Sequence, residues 1–219
     1  AIKNMLIVNL LTDFTRNLFV YSVTNGYWTI HKMDAPKWAV LAFVTTSHLS
    51  DQYFIDIEDF ILPSTLYLGD ASSNTFESFQ SLPAYFDASN LEVKQYKAKS
   101  KDGTMIPYFM VSRKDIKMDG TNPTLVYAYG GFELSERPRY RAITGVSWLD
   151  KGGVYVLANI RGGGEYGPKW HQYAIKEKRQ NAFDDLYAVS DDVLAKQLTS
   201  PTHSGVMGGS NGGSLVGVA

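Results

Sequence analysis

The opening part of the chain is a succession of short apolar runs broken by turn residues. From residue 3 to about residue 82, "MLIVNLL", "NLFVYSV", "YWTIHKM", "WAVLAFVTT", "QYFIDIE", "STLYLGD" and "TFESFQS" follow one another with no helical period between them. A polar turn at residues 12–16 separates the first two, and Thr24-Asn25-Gly26 is a hairpin signal before the third. Strands at this density predict an all-β unit, with roughly enough of them for two four-stranded propeller blades. No signature dipeptide repeats, so periodicity alone fits a sandwich equally well. "SLPAYFDASN", residues 81–90, predicts the boundary: Pro83 stops the last strand, and Asp87, Ser89 and Asn90 favour turns.

Beyond it the pattern changes. "LEVKQYKAKS" and "TMIPYFMVSR" predict two strands joined by an Asp-Gly hairpin turn at Lys101-Asp102-Gly103. "PTLVYAYGGF" and "GGVYVLANIRGGG" are apolar strands that run into glycines. Over residues 181–197, Phe183, Leu186, Val189, Val193, Leu194 and Gln197 recur at spacings of three and four, which predicts a helix. Asp184 and Asp185 fall in its expected first turn, where acids suit the helix dipole. A short strand, "SGVMGGS", follows. Continuous apolar strands alternating with helix predict a mostly parallel sheet whose sites lie at the C-terminal strand ends. The expected domains are therefore residues 1–82 and residues 83–219.

Composition narrows the functional classes. The 219 residues are 44% hydrophobic and 20% charged, enough apolar content for a buried core. The net charge is −1 with both signs interspersed, which argues against a nucleic-acid partner and against a membrane surface. Cysteine is absent, so disulfides, thiolate metal sites and a cysteine nucleophile are excluded, while the compartment, cytoplasmic or periplasmic, stays open. No apolar run approaches the length of a membrane span. Ala1 opens the chain without Met, inside what reads as a strand, so the expectation is a cut N-terminus with any targeting segment upstream.

The candidate chemistry sits on the glycines. Gly208-Gly209-Ser210-Asn211-Gly212-Gly213 fits G-x-S-x-G, the tight strand-to-helix turn that presents a serine nucleophile. Val206 and Met207 supply the strand before it, and an apolar helix begins after it. A glycine turn with an idle serine is the alternative, and a phosphate loop fits less well because its Lys-Ser/Thr ending is missing. After "PTLVYA" comes Tyr129-Gly130-Gly131-Phe132, placed where an α/β-hydrolase builds its oxyanion hole. The Tyr129 phenol and the backbone N–H of Asn211 are the candidate donors. In isolation, Tyr129 and Phe132 would pass for ordinary core aromatics. Arg161-Gly162-Gly163-Gly164-Glu165-Tyr166-Gly167 follows the next strand, with Arg161 and Glu165 expected as an ion pair that pins the loop.

These motifs, with "YGGF", "ANIRGGGEYG", "NAFDDL", "TSP" and "GGSNGG" in this order over most of residues 91–219, resemble the prolyl oligopeptidase family of serine peptidases. The resemblance implies an α/β-hydrolase domain after 83, preceded over residues 1–82 by a segment similar to the last blades of a seven-bladed propeller. It implies cleavage of short peptides after proline, no metal or cofactor, and a monomer when full length. By position, Ser210 is the nucleophile, Asn211 N–H and the Tyr129 hydroxyl form the oxyanion hole, and Phe132 walls the proline pocket. An aromatic slot suits a proline ring, which is apolar and lacks an N–H. Asn211 and the Tyr166 of "GGGEYG" favour the prolyl branch; Ser214, where the family usually has Leu, is expected to change only packing.

In this fold the triad acid and histidine follow the serine, so both are expected beyond Ala219. His203 lies seven residues before Ser210, roughly 20 Å along a strand, and is too far. His31 and His48 belong to the β-rich part, and His171 is expected to orient the glycine loop rather than act as base. Asp184 and Asp185 fit helix-start roles better than that of a triad acid. A chain ending at Ala219 is therefore expected to be marginally stable and inactive. The rival readings are an esterase or a peptidase of oligopeptidase B-like or acylaminoacyl peptidase-like specificity on the same fold, and a non-catalytic homologue.

Overall fold

A computed structural model describes residues 1–12, 15–33 and 35–219, with side chains described at 1–10, 17–33 and 35–219. The chain forms two compact units, Ala1–Tyr85 with Arg137–Arg141, and Phe86–Glu136 with Ala142–Ala219.

The first unit holds two antiparallel sheets. Strands β1 (Met5–Thr12), β2 (Thr15–Thr24) and β3 (Tyr27–Met33) lie in the order β1-β2-β3. Strands β4 (Val40–Thr46), β5 (Gln52–Glu58), β6 (Thr65–Asp70) and β7 (Thr75–Ser81) lie in the order β4-β5-β6-β7. Among the described residues this is one three-stranded and one four-stranded sheet, not two sheets of four. The turn read at residues 12–16 centres on residues 13–14, outside the described residues. The hairpin at Asn25 and Gly26 takes φ 53 and φ 80, the left-handed pair that a two-residue turn needs, and Thr24 pairs with Tyr27 across it. Both sheets share one core: Leu18, Val20 and Met33 from the first meet Tyr53, Ile55 and Ile57 from the second. The alternation Tyr53, Ile55, Ile57 is the buried face of β5. Gly69 leaves room for the Tyr53 ring, since a Cβ there would fall 2.1 Å from it. The Tyr53 hydroxyl donates to Met33 Sδ at 3.4 Å.

The second unit is a five-stranded sheet in the order β12-β10-β11-β9-β8. Its elements are β8 (Leu91–Lys99), β9 (Met105–Arg113), β10 (Thr124–Ala128), α1 (Ala142–Ser147), β11 (Val154–Ala158), α2 (Pro168–Gln172), α3 (Gln180–Ala195), β12 (Ser204–Met207) and α4 (Asn211–Val218). Strands β11, β10 and β12 are mutually parallel; the β8-β9 hairpin joins the sheet antiparallel through β9. The unbroken apolar runs of β9 and β11 are buried on both faces, as expected of central strands.

Helix α3 lays Leu186, Val189 and Val193 on the sheet. It starts at Gln180, one residue before the expected 181–197 span, so Asp184 and Asp185 sit past its first turn. Its end differs as well: Gln197 lies beyond the helix at φ 55. There Gln197 N–H bonds Leu194 O at 2.9 Å and Leu198 N–H bonds Val193 O at 3.1 Å, a Schellman closure built on glutamine instead of glycine.

Candidate active site at the serine turn

Strand β12 delivers Ser210 to the C-terminal edge of the parallel strands, beside the end of β10. Ser210 holds φ 51 and ψ −115, a conformation that side-chain-bearing residues avoid. It is tolerated because everything around it is small. A Cβ on Gly208 would stand 2.3 Å from Gly212 O, and one on Gly212 would stand 2.5 Å from Ala128 O at the end of β10. A Cβ on Gly209 would have nothing within 4 Å, and one on Gly213 would meet only Gly208 O at 3.5 Å. Two of the four glycines therefore carry the steric demand, those at the G-x-S-x-G positions. Ser214 is exposed on α4.

Asn211 opens α4. Its backbone N–H, at the first position of the helix, has no acceptor within the helix. Its side chain has a second function that the motif does not advertise: Nδ2 donates to Tyr129 O at 2.6 Å, and Gly131 is a glycine because a Cβ there would fall 2.4 Å from that amide. The serine turn and the "YGGF" loop are thus bonded to one another. Tyr129 is half-buried at the end of β10, one parallel strand away from Ser210. Gly130, at φ +56, turns its carbonyl to the Arg179 guanidinium. Phe132 is 71% exposed and has φ 53.

The expected ion pair between Arg161 and Glu165 does not form. Arg161 Nε and Nη2 make a fork onto the fully buried Asp185 carboxylate, at 2.9 and 2.6 Å, and the Arg161 N–H adds a third bond to it at 3.0 Å. Nη1 bonds Asp102 in the β8-β9 turn, and Ser100 Oγ donates to Asp185 at 2.6 Å. A buried cation requires such company. Burial alone would pull the guanidinium down; its bonds to Asp185 and Asp102 outweigh that and push it up. The same bond holds the Asp102 carboxyl down at about 2. Asp185, a helix-start acid by its sequence position, is instead the buried counter-ion that fixes the first residue of the glycine loop. Sequence periodicity conceals it, since Asp185 falls on the apolar face of α3.

Glu165 has a different task. Its Oε1 accepts from Glu136 N–H at 3.0 Å and from Asn159 Nδ2 at 3.4 Å, while Oε2 is buried with no hydrogen bond among the described residues. Burial pushes its carboxyl up to about 7, against the pull of those donors. His171 Nδ1 lies 2.7 Å from Gly162 O, so it bridges the glycine loop. His203 Nδ1 lies 2.7 Å from Ser200 Oγ at the far end of β12, away from Ser210. His31 is on β3 and His48 in the β4-β5 loop, both in the first unit. Among the described residues no group of three or more His, Asp or Glu is placed to hold a metal, and no helix is long and apolar enough to cross a membrane.

Known proteins resemble this chain in sequence and fold. A profile described as the prolyl oligopeptidase family matches residues 140–219. An uncharacterized peptidase of Sinorhizobium fredii is 49% identical over 216 residues, which cover 99% of this chain and 30% of that protein. A prolyl endopeptidase of Elizabethkingia miricola is 36% identical over 166 residues, 76% of this chain and 23% of its own length. A solved structure of a post-proline cleaving enzyme from Rickettsia typhi superposes with a TM-score of 0.83 at 38% identity, covering 100% of this chain and 32% of that one. This chain therefore spans no more than 32% of the length of any of the three. The likeness decides between the two all-β architectures left open by periodicity: the first unit is of the propeller kind, and the second is of the α/β-hydrolase kind.

Proposed function

Since the chain belongs to the prolyl oligopeptidase family, we propose that it carries the nucleophile and oxyanion-binding part of a serine peptidase that cleaves short peptides after proline. The observation that carries this reading is Ser210 itself. It is held at φ 51 and ψ −115 between β12 and α4, with the Asn211 side chain bonded to the loop that holds Tyr129.

In the proposed reaction a base takes the Ser210 proton as Oγ attacks the carbonyl that follows the proline. The tetrahedral oxyanion is received by Asn211 N–H and the Tyr129 hydroxyl. The C–N bond breaks as the amine leaves with a proton, and water releases the acyl group from Ser210. The first N–H of α4 suits a developing negative charge, because the helix dipole adds to it. The Asn211 side-chain bond to Tyr129 O ties together the two backbone segments that carry the donors. No step requires a metal or an organic cofactor.

Steady-state hydrolysis by the full-length gene product tests the substrate class. Acyl-Gly-Pro, acyl-Gly-Arg and acyl-Ala aminocoumarin reporters are compared by kcat/KM. The proline reporter is expected to lead by at least about 100-fold, the discrimination a shaped apolar pocket with a matched ring can give. Tyr129→Phe is expected to lower kcat on it by about 10²-fold, the usual cost of one oxyanion donor. A lead for the arginine or acyl-alanine reporter would place the protein in another branch of the fold.

A further inference from the structure

The loop that follows the oxyanion tyrosine is held in an unfavourable shape by groups outside it. Phe132 and Glu133 are consecutive side-chain-bearing residues with φ 53 and φ 56, both left-handed. Phenylalanine and glutamate, unlike glycine or asparagine, adopt that region only at a cost, and two such residues in succession persist only where the surroundings enforce them. The Phe132 ring cannot be the enforcer, since at 71% exposed it has little packing. Its position is set by its backbone.

The enforcing contacts come from the glycine loop and α2. Glu133 N–H meets Gly162 O at 3.2 Å, and His171 Nδ1 lies 2.7 Å from the same carbonyl and 3.2 Å from Glu133 N. A ring nitrogen that close to a carbonyl oxygen carries the proton and donates it. With its proton on Nδ1, His171 acts on the turn through Gly162 O, the carbonyl that also accepts from Glu133 N–H across the two loops. The histidine is itself well anchored. Its neighbour Trp170 is buried and donates Nε1–H to Ile160 O at 3.1 Å, and Gly162 N–H returns to Trp170 O at 3.0 Å. The two loops meet backbone to backbone: Gly164 N–H bonds Leu134 O at 3.2 Å, and a Cβ on Gly164 would stand 2.1 Å from Glu133 O.

We propose that His171 is a positioning residue for substrate selection: its Nδ1–H holds Gly162 O, the acceptor of Glu133 N–H, and through it the left-handed turn that sets Phe132 as the wall of the proline pocket. The proposal rests on the peptidase reading above and adds to it a residue that does not touch substrate. Losing the lock lets the turn relax, and the exposed ring moves with it. The nucleophile and both oxyanion donors lie on other bonds and stay in place.

The experiment compares two amide substitutions in the full-length gene product. His171→Asn places an amide nitrogen near the position of Nδ1, and His171→Gln places it near Nε2. Reporters with proline and with alanine before the scissile bond are hydrolysed by each variant, and labelling of Ser210 by a fluorophosphonate is followed in parallel. His171→Gln is expected to lower kcat/KM on the proline reporter by about tenfold, mainly through KM, with the alanine reporter changed less than about threefold; this is the loss of one hydrogen bond read as selectivity. His171→Asn is expected to stay within about threefold of the parent on both, and the labelling rate to stay constant in all three. Adding Glu133→Gly to His171→Gln is expected to recover part of the selectivity, because glycine holds a left-handed φ unaided. Equal losses on both reporters, or equal behaviour of the Asn and Gln variants, would overturn the proposal while leaving a labelled Ser210 and the peptidase reading intact. A parent that is neither labelled nor active would overturn both.

Discussion

Glu165 shows how far a single residue can depart from its sequence appearance. Beside Arg161 in a glycine-rich loop it looks like half of an ion pair, yet Arg161 is engaged by Asp185, and Glu165 is left as a buried carboxyl with one oxygen that has no hydrogen bond among the described residues. Its folded pKa of about 7 stands above the ordinary 4.5, so its contribution to stability is full below about pH 4.5 and is lost as pH rises through 7. Glu165→Gln keeps the acceptor for Glu136 N–H and removes the charge. In thermal unfolding at pH 8 to 9 the Gln variant is expected to exceed the parent by roughly 1–3 kcal/mol, and to match it near pH 4.5. A parent whose advantage grew with pH would show that Glu165 is ionised and paired. At this scale the candidate nucleophile is legible in the sequence, because G-x-S-x-G states a backbone demand. The partners of Arg161 are not, because Asp102, Ser100 and Asp185 are distant in sequence and follow no spacing rule. The Asn211 side-chain bond to Tyr129 O is equally hidden, since it joins residues 82 apart.

Elements are legible wherever a pattern and a stop signal agree. β5, read as "QYFIDIE", occupies Gln52–Glu58, and the Asn25-Gly26 turn takes the left-handed dihedrals its residues favour. The C-terminus of α3 departs from its periodic reading because the left-handed position that ends it is filled by Gln197, which sends no glycine signal. The short helices α1 and α2 offer too few turns to show a period. The serine turn allows a sharper test of what its glycines do. Gly212→Ala would push a methyl against Ala128 O and is expected to cost about 1–3 kcal/mol of stability and to slow Ser210 labelling. Gly213→Ala meets ordinary contact distances inside α4 and is expected to be neutral or to stabilise by up to about 1 kcal/mol. Denaturant midpoints of the two variants decide the matter: equal effects would mean that the turn is not packed backbone against backbone.

For the molecule as a whole, the change of pattern near residue 82 announces two kinds of architecture, and the compact units divide at Tyr85 and Phe86, with Arg137–Arg141 returning to the first. That return is invisible in sequence, because a five-residue excursion carries no periodicity. The second unit brings three glycine motifs from three parts of the chain together, and it does so by topology. β10, β11 and β12 are parallel neighbours, so the residues that follow them emerge on one edge. Long-range bonds then fix the loops: Asn211 to Tyr129, Arg179 to Gly130, His171 to Gly162 and Arg161 to Asp185. The central claim is that this framework strains Ser210 in order to make it a nucleophile. The most direct measurement is fluorophosphonate labelling of the full-length gene product, followed by proteolysis and mass mapping of the adduct. A single adduct on Ser210, lost in Ser210→Ala with folding unchanged, is the predicted result. A folded protein that takes no label, or takes it on another serine, would contradict the nucleophile assignment and leave only the fold.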